Sequence, residues 1–301
     1  MDPRLTEQRN PDTAGIDTLS PLEIVDAINR EDCKVAAAVA AERESLARAV
    51  ELAEAAFRSG GRLLYVGAGT SGRLGVLDAA EMPPTFGTDP DRVQGVIAGG
   101  YDALVRAREG AEDDPGAGAA AMDEREAGPR DFVLGIATSG TTPFVHGALA
   151  RARERGARTG FLLCTPPPEE LSAAHDVVIA PLVGPEVVTG STRMKAGTAT
   201  KLVLNTITTG AMIRLGKVWG NLMVDLQVTC RKLQDRGERI LMETLGVERA
   251  AARELLAAAD GQVKTALVMH RRGVDARTAR DLLQASAGRV ADVLAGEGGA
   301  G

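Results

Sequence analysis

Five short apolar runs, rich in β-branched residues, recur along the middle of the chain and constrain its fold more than any other feature. They fall at 62–66, 93–98, 131–137, 159–164 and 176–180. Several are apolar at successive residues, which is typical of central strands that are covered on both faces. The segments between them, at about 71–81, 103–112 and 143–155, are long enough to be crossover helices. This alternation predicts an α/β fold with a doubly wound sheet of five parallel strands.

The region before the predicted sheet contains a polar arm followed by helices. The arm extends to about Ser20, and its prolines and glycine indicate an extended path. From Pro21 to Arg58 the apolar residues recur at helical spacing, which predicts two helices broken near Asp32. Ser20 can cap the first helix, and proline is favoured at a first helical position.

The region after the predicted sheet is expected to be helical. No strand is predicted beyond Pro185, and the segments 191–215 and 218–234 have the pattern of helices separated by a glycine. Five short helical segments separated by glycines follow Gly237, and a Gly/Ala tail from Gly296 is expected to fray. The predicted organisation has three parts: an N-terminal arm with helices over 1–59, a sheet domain over 60–236 and a small helical bundle over 237–301.

Charge and cysteine content exclude several functions. The net charge of −6 indicates no basic stripe of the kind that binds nucleic acid. No apolar stretch has the length of a membrane span or the position of a signal peptide, so we expect a cytoplasmic protein. The three cysteines are far apart and form no CxxC pair, and the three histidines show no ligand spacing. We expect no metal and no redox cofactor.

The first loop that could carry chemistry follows the first predicted strand, within 65–73. Its glycines, Gly67, Gly69 and Gly72, allow a ligand to approach the backbone closely where a helix begins. A dinucleotide site is disfavoured, because the next strand leads into Gly99 and Gly100 and not into an acidic residue. A tight strand–helix turn without a ligand remains the alternative.

The second loop, within 135–143, also joins a predicted strand to a predicted helix. Its hydroxyl groups and exposed amides can cradle a phosphomonoester without a P-loop lysine. The alternative is ordinary capping of the helix by Ser139 or Thr142.

The third segment, 184–198, places Arg193 and Lys195 in the first turns of a helix that Ser191 could cap. Cations are unfavourable at that end of the helix dipole. We therefore expect them to serve an anion or a partner carboxylate, and a solvated basic turn is the alternative.

These three segments, in this order, resemble the sugar isomerase (SIS) domain, which has a flavodoxin-like sheet. The third resembles the signature shared by the N-acetylmuramic acid 6-phosphate etherases and the glucokinase regulatory proteins. The resemblance to the etherases covers nearly the whole chain. It includes the stretches 6–10, 16–17, 28–29, 31–32, 67–78, 80–87, 97–100, 109–113 and 220–225.

The resemblance implies roles for particular residues. Glu81 matches the proton-donating glutamate of the family motif E-x-P-P-T, and Glu112 matches the second active-site glutamate, in E-G-A-E-D. Where the etherase pattern has an arginine in the phosphate loop, this chain has Thr141. The expected substrate- and phosphate-binding residues are Gly69, Thr70, Ser71, Gly72, Thr138, Ser139, Gly140, Thr142, Ser191, Arg193 and Lys195.

The resemblance also implies a homodimer and a small-molecule phosphosugar substrate, with sites near the subunit interface and residues lent across it. The N-terminal arm is a candidate for such an exchange, because a polar segment without its own core needs a neighbour to order it. The C-terminal bundle resembles the small ubiquitin-associated type.

Two carboxylates suit the reaction that the resemblance implies, removal of a lactyl group from C3 of the sugar. Ring opening gives a C1 aldehyde that acidifies the C2 proton; a base removes it, an acid protonates the leaving oxygen, and water then adds. One carboxylate must be ionised and the other protonated. We assign Glu81 as the acid and Glu112 as the base, following the resemblance. A sugar-phosphate-binding regulator without activity and an aldose–ketose isomerase are the competing hypotheses.

Overall fold

The computed structural model describes residues 4–225 and 231–295. Within these ranges, no helix combines the length and the apolar content needed to cross a membrane. The chain divides into two compact units, one of residues 1–82 and 90–210 and the other of residues 83–89 and 211–301.

The N-terminal arm and helices open the first unit. Three single 3₁₀ turns, Leu5–Glu7, Pro11–Thr13 and Ile16–Thr18, are followed by the helices α1 (Pro21–Asp32), α2 (Val35–Ala41) and α3 (Arg43–Arg58). The predicted start of α1 is confirmed: Ser20 and Glu23 form a reciprocal capping box, with Pro21 as the first helical residue. A second break, where Glu42 leaves the helical conformation, gives three helices instead of the two predicted.

The predicted five-stranded parallel sheet is confirmed. Its strands are β1 (Leu63–Gly67), β2 (Val93–Ile97), β3 (Phe132–Ile136), β4 (Arg158–Leu162) and β5 (Val177–Ile179). They pair in parallel in the order β2-β1-β3-β4-β5. Every residue of β1 and β3 is buried, as expected where helices cover both faces of a sheet. The order reverses between β1 and β3, the position at which open α/β sheets bind ligands.

The helices between the strands are α4 (Gly69–Phe86), α5 (Pro115–Glu124), α6 (Pro143–Glu154) and α7 (Glu169–Ala174). The prediction of a crossover helix over 103–112 was wrong. Gly110 adopts a left-handed conformation (φ +77°) that interrupts any helix there. The helix begins instead at Pro115, where the Asp114 carboxylate accepts a hydrogen bond from the Ala117 backbone N–H. The Asp-Pro pair was the missed signal.

Helix α4 contains two consecutive prolines near its end. Pro83 and Pro84 lie within it, and the helix runs past the predicted end at about residue 81 to Phe86. Proline has a φ close to the helical value, so two prolines near the end of a helix remove hydrogen bonds without forcing the chain out of the helix. Gly87, with a φ of +61°, follows the last helical residue.

The long helix α8 (Lys195–Arg214) follows the sheet and matches the prediction over 191–215. The helix predicted over 218–234 was wrong at its start, where the strands β6 (Val218–Trp219) and β7 (Leu222–Met223) form an antiparallel hairpin. Gly220 has a φ of +57°, and a Gly-Asn pair suits a two-residue hairpin turn. Residues 226–230 of that prediction lie outside the described ranges.

Five helices end the described chain, as expected for its C-terminal part: α9 (Arg231–Leu245), α10 (Arg249–Ala258), α11 (Val263–Arg272), α12 (Ala276–Ala285) and α13 (Val290–Ala295). They share a buried core that includes Leu241, Leu256 and Leu267. Trp219 packs against this core. The predicted frayed tail from Gly296 lies outside the described residues.

Two helices of the first unit touch backbone to backbone. A Cβ atom on Gly118 of α5 would lie far inside van der Waals contact of the Phe144 carbonyl oxygen of α6. In the same way, a Cβ atom on Gly147 of α6 would strike the Pro115 carbonyl oxygen of α5. Only glycine therefore fits at either position, and the starts of the two helices are held together.

Candidate active site

A cavity of about 310 Å³ lies at the carboxyl ends of β1, β2 and β3. This is the edge of the sheet where the strand order reverses, so the loops after these strands converge on one space. The cavity is lined by Glu7, Ala68, Gly69, Thr70, Ser71, Arg73, Ala98, Ala103, Ala107, Arg108, Glu109, Glu112, Ile136, Ala137, Thr138, Ser139, Thr142, Gly190 and Thr192.

The loop after β1 brings three predicted residues, Gly69, Thr70 and Ser71, to the cavity. Gly69 has a φ of +51° where the chain turns from the strand into α4, and the first amides of a helix are suited to bind an anion. Gly72 is not among the lining residues. A Cβ atom at Gly72 would lie 2.6 Å from Cγ1 of Ile97, so this glycine allows α4 to pack closely on the sheet.

The loop after β3 brings Thr138, Ser139 and Thr142 to the same cavity. Thr142 occupies the capping position of α6, yet its side chain makes no capping hydrogen bond. The Ser139 hydroxyl lies 3.0 Å from the Thr141 hydroxyl and is likewise not used to cap the helix. These contacts disfavour the alternative that the hydroxyls serve only as caps. Gly140 does not line the cavity; its φ of +79° shapes the turn.

Three carboxylates lie on the cavity wall: Glu7, Glu109 and Glu112. Glu112 belongs to a 3₁₀ turn, Ala111–Asp113, just before α5, and its side chain is exposed. The sequence reasoning identified Glu112 as a site residue but not Glu109 or Glu7. Both lie in stretches that carry the family resemblance, and this resemblance is the signal that could have identified them.

Two guanidinium groups on the cavity wall were also not predicted. Arg73 donates from Nε to the Leu104 carbonyl oxygen at 3.0 Å and from Nη2 to the Ala103 carbonyl oxygen at 2.7 Å. Arg108 donates from Nη1 to the Gly99 carbonyl oxygen at 2.8 Å, and its residue is exposed. Both arginines thus hold the connection between β2 and α5 against the cavity.

The third segment contributes Gly190 and Thr192 to the cavity, but Ser191, Arg193 and Lys195 are not among the lining residues. Arg193 is exposed. Lys195 is buried, and its Nζ donates to Oε2 of Glu31 at 2.6 Å. Of the two roles expected for Lys195, the structure therefore shows the partner carboxylate.

A second buried carboxylate organises the same helix start. Glu186 accepts hydrogen bonds from the backbone N–H groups of Lys195, at 3.0 Å, and Ala196, at 2.9 Å. It thereby satisfies two of the free donors at the N-terminus of α8. Burial raises the pKa of Glu186, and these hydrogen bonds oppose that rise.

The N-terminal arm is ordered by its own chain. The Asn10 side chain donates to the Pro185 carbonyl oxygen at 3.2 Å, and the Thr13 hydroxyl donates to the Val187 carbonyl oxygen at 2.9 Å. These contacts hold the arm along the loop before Gly190 and bring Glu7 to the cavity. Within one chain, the arm therefore has hydrogen-bond partners of its own.

Glu81 is exposed and is not among the lining residues. It follows Arg73, the last residue of α4 that lines the cavity, by 8 positions (81 − 73). At a rise of 1.5 Å per residue, Glu81 lies about 12 Å along the helix from Arg73. Of the two predicted glutamates, Glu112 lines the cavity of one chain and Glu81 does not.

Within the described ranges, no group of three or more His, Cys, Asp and Glu side chains is arranged to hold a metal ion. Cys33 is exposed and Cys164 is buried, and both are free thiols. Burial raises the pKa of the Cys164 thiol to about 12, so this thiol is not a nucleophile. Cys230 lies outside the described residues.

The fold and the position of the cavity define an SIS-type α/β domain. Residues 45–153 match the family model of the glucokinase regulatory protein N-terminal SIS domain. The solved structure of phosphoheptose isomerase GmhA from Neisseria gonorrhoeae superposes with a TM-score of 0.49 at 20% identity, over 64% of this chain and 98% of that chain.

Curated relatives give the particular family. The chain is 56% identical over 266 residues to the N-acetylmuramic acid 6-phosphate etherase of Synechococcus elongatus, covering 88% of this chain and 86% of the relative. It is 57% identical over 264 residues to the N-acetylmuramic acid 6-phosphate etherase of Salinibacter ruber, covering 88% of this chain and 85% of the relative. The chain belongs to the N-acetylmuramic acid 6-phosphate etherase family. It is an enzyme of the carbon–oxygen lyase class, with a role in the recycling of cell-wall amino sugars.

Proposed function

We propose that the chain cleaves the D-lactyl ether of N-acetylmuramic acid 6-phosphate by elimination and hydration, giving N-acetylglucosamine 6-phosphate and D-lactate. The observation that carries the proposal is one cavity, in a chain of this family, that combines hydroxyl-rich loops with the carboxylate of Glu112. The loops suit a phosphate and the carboxylate suits proton transfer.

The phosphate is assigned to the loop after β3. Ser139 and Thr142 present hydroxyl groups that no helix cap uses, at the start of α6, where backbone amides and the helix dipole favour an anion. The positive φ of Gly140 lets the backbone turn close to the ligand. Thr70 and Ser71 at the start of α4 contact the sugar from the neighbouring loop.

Glu112 is assigned as the base at C2. In the ring-opened sugar the C1 aldehyde acidifies the C2 proton, and an ionised carboxylate can accept it. The electron pair of the C2–H bond then forms the C2–C3 double bond while the C3–O bond breaks. The departing lactate oxygen takes a proton from an acid, because an unprotonated alkoxide leaves poorly. Water afterwards adds to C3, and C2 regains a proton.

The acid is assigned to Glu81 of a second copy of the chain. Glu81 lies about 12 Å along α4 beyond Arg73, the last residue of that helix to line the cavity of its own chain, so this assignment takes it from the other chain of a homodimer. Glu109 lines the cavity in the same chain and is the alternative acid. The two assignments differ in a measurable way, since only the first requires two chains for one active site.

The test of the function is incubation of the purified protein with N-acetylmuramic acid 6-phosphate in heavy-oxygen water. We expect D-lactate and N-acetylglucosamine 6-phosphate, with the heavy oxygen at C3 of the sugar. Binding without any product would favour a regulatory protein instead. Formation of a ketose phosphate without lactate would favour an isomerase.

A further inference from the structure

The cavity contains an imbalance of charge relative to the proposed substrate. That substrate carries a phosphate at C6 and a carboxylate on the lactyl group at O3. The cavity wall has three carboxylates, Glu7, Glu109 and Glu112, and two guanidinium groups, Arg73 and Arg108. A substrate carboxylate placed near Glu112 without a cation would meet repulsion from like charges. On the cavity wall of one chain, the cations that can relieve this repulsion are Arg73 and Arg108.

Arg73 is poorly placed to take that role. Its Nε and Nη2 both donate to backbone carbonyl oxygens, those of Leu104 and Ala103, and its side chain is half-buried. These two contacts occupy the Nε–Nη2 edge of the guanidinium group, which is one of the edges that can bind a carboxylate through two hydrogen bonds. Its contacts instead fix the turn that begins the connection between β2 and α5.

In Arg108, the Nε–Nη2 edge is free of the carbonyl contacts that occupy the same edge in Arg73. Its residue is exposed, and its one hydrogen bond given by the structure runs from Nη1 to the Gly99 carbonyl oxygen. Its Cδ lies against Gly99, where an added Cβ atom would be only 3.2 Å away. The guanidinium group is thus anchored at one nitrogen, while the edge formed by Nε and Nη2 remains open for a carboxylate.

The position of Arg108 also matches the correct end of the sugar. Arg108 and Glu112 both belong to the connection between β2 and α5, whereas Ser139 and Thr142 belong to the loop after β3. If the C6 phosphate binds the latter loop and Glu112 faces C2, the substituent on C3 falls on the side of Arg108. The two anionic groups of the substrate are then bound by different loops.

We propose that Arg108 forms the subsite that binds the lactyl carboxylate, an inference that rests on the proposed function. A bidentate guanidinium–carboxylate pair would select sugars that carry an acidic ether substituent. The product N-acetylglucosamine 6-phosphate has no such group, so it loses this contact and is released. Arg108 is in this view the residue that distinguishes substrate from product.

The experiment compares Arg108→Gln with Arg106→Gln in the full-length enzyme. Arg106 is an exposed arginine two positions earlier that does not line the cavity, so it is a matched control for loss of charge. For Arg108→Gln we expect KM for the lactyl substrate to rise at least about 10-fold, as for loss of a charged contact. We expect Kd for N-acetylglucosamine 6-phosphate to change less than about 2-fold, because that ligand lacks the carboxylate.

Two results would overturn the subsite. An equal loss of affinity for substrate and product would assign Arg108 to the phosphate or to the shape of the loop. No change in either constant, or the same change in Arg106→Gln, would remove it from binding. Should Arg108→Gln fold poorly, Arg108→Lys keeps the positive charge but loses the planar fork, so KM for the lactyl substrate should still rise relative to Kd for the product.

Failure of the proposed function would be recognised separately. If the unaltered enzyme released no lactate, calorimetry with N-acetylmuramic acid 6-phosphate and N-acetylglucosamine 6-phosphate would still compare the two ligands. A preference for the lactyl sugar that disappears in Arg108→Gln would support the carboxylate subsite without any turnover. Equal affinities in the unaltered enzyme would contradict it.

Discussion

Lys195 and Glu31 form an ion pair that is almost completely buried, with Nζ of the lysine 2.6 Å from Oε2 of the glutamate. The pair joins the first residue of α8 to the end of α1. Removing one partner of a buried pair costs about 3–5 kcal/mol when the other charge is left without compensation. Glu31 keeps a second ion pair with Lys34, whose Nζ lies 2.6 Å from Oε1, so we expect Lys195→Met to lower the free energy of unfolding by a smaller amount, about 1–3 kcal/mol, measured by urea denaturation. Arg193→Met, at an exposed neighbouring site, should cost far less.

The stability of the fold should depend on pH through Glu31. Burial opposes the ionisation of Glu31, but hydrogen bonds from Lys195 and Lys34 outweigh it and lower its pKa from 4.5 to about 2. A lowered pKa stabilises the folded state above 4.5, and this stabilisation is lost as the pH falls from 4.5 towards 2. Between pH 4.5 and pH 2, the free energy of unfolding should fall more steeply in the native protein than in Glu31→Gln. Parallel curves for the two proteins would contradict the assignment.

The role of Glu112 as a base predicts a loss of rate with substrate binding retained. General acid–base assistance is worth about 10²–10⁴-fold, so Glu112→Gln should lower kcat by that factor. Asp113→Asn is the matched control, since Asp113 is the next residue and does not line the cavity. Near-normal turnover by Glu112→Gln, measured as lactate release, would exclude Glu112 as the base.

Supply of Glu81 by a second chain predicts complementation between two inactive variants. Glu81→Gln keeps Glu112 in its own cavity, and Glu112→Gln keeps Glu81 for its neighbour. One of the two cavities in a mixed dimer is then complete, so a purified mixed dimer should regain about half of the native activity. If Glu81 acts within its own chain, mixing would restore nothing. Full activity of Glu81→Gln alone would instead favour Glu109 as the acid.

The crossing of α5 and α6 predicts a strong effect of one added methyl group. A Cβ atom at Gly147 would strike the Pro115 carbonyl oxygen, and backbone cannot rotate away as a side chain can. Overpacking costs about 1–3 kcal/mol or more, so Gly147→Ala should lower the melting temperature clearly. Gly128→Ala, where an added Cβ atom would lie 3.7 Å from the Glu126 carbonyl oxygen in an ordinary contact, should leave it nearly unchanged. Equal melting temperatures for the two variants would count against the close contact.

The sheet could be predicted well from the sequence because buried parallel strands consist of continuous apolar runs. Such runs can be recognised from the local sequence alone, without knowledge of the strands they pair with. The helix predicted over 103–112 failed for a local reason, the left-handed Gly110, which spacing of apolar residues does not report. The hairpin at Gly220 was missed in the same way. In both segments, a glycine that favours a turn determined the local structure, although the spacing of apolar residues was helical.

The candidate site was predicted in part. Loop residues such as Thr70 and Ser139 follow strands directly, so parallel topology alone brings them to one edge of the sheet. Lys195 and Arg108 could not be placed in this way. The partner of Lys195 lies 164 positions away in the chain, and Arg108 faces the cavity only because its connection folds back over Gly99. Distances of this kind follow from tertiary packing, which no single segment encodes.

The close packing of α5 and α6, with Gly118 against the Phe144 carbonyl oxygen and Gly147 against the Pro115 carbonyl oxygen, has a consequence for the kind of sugar the cavity can hold. Helix α5 starts directly after the turn with Glu112, and α6 starts directly after the loop with Ser139. Because the two helices meet through main-chain atoms, the distance between the turn that carries Glu112 and the loop that carries Ser139 is fixed by backbone packing. Substitution of side chains in the cavity can alter which groups it recognises, but the length of sugar that fits between the turn and the loop stays constant.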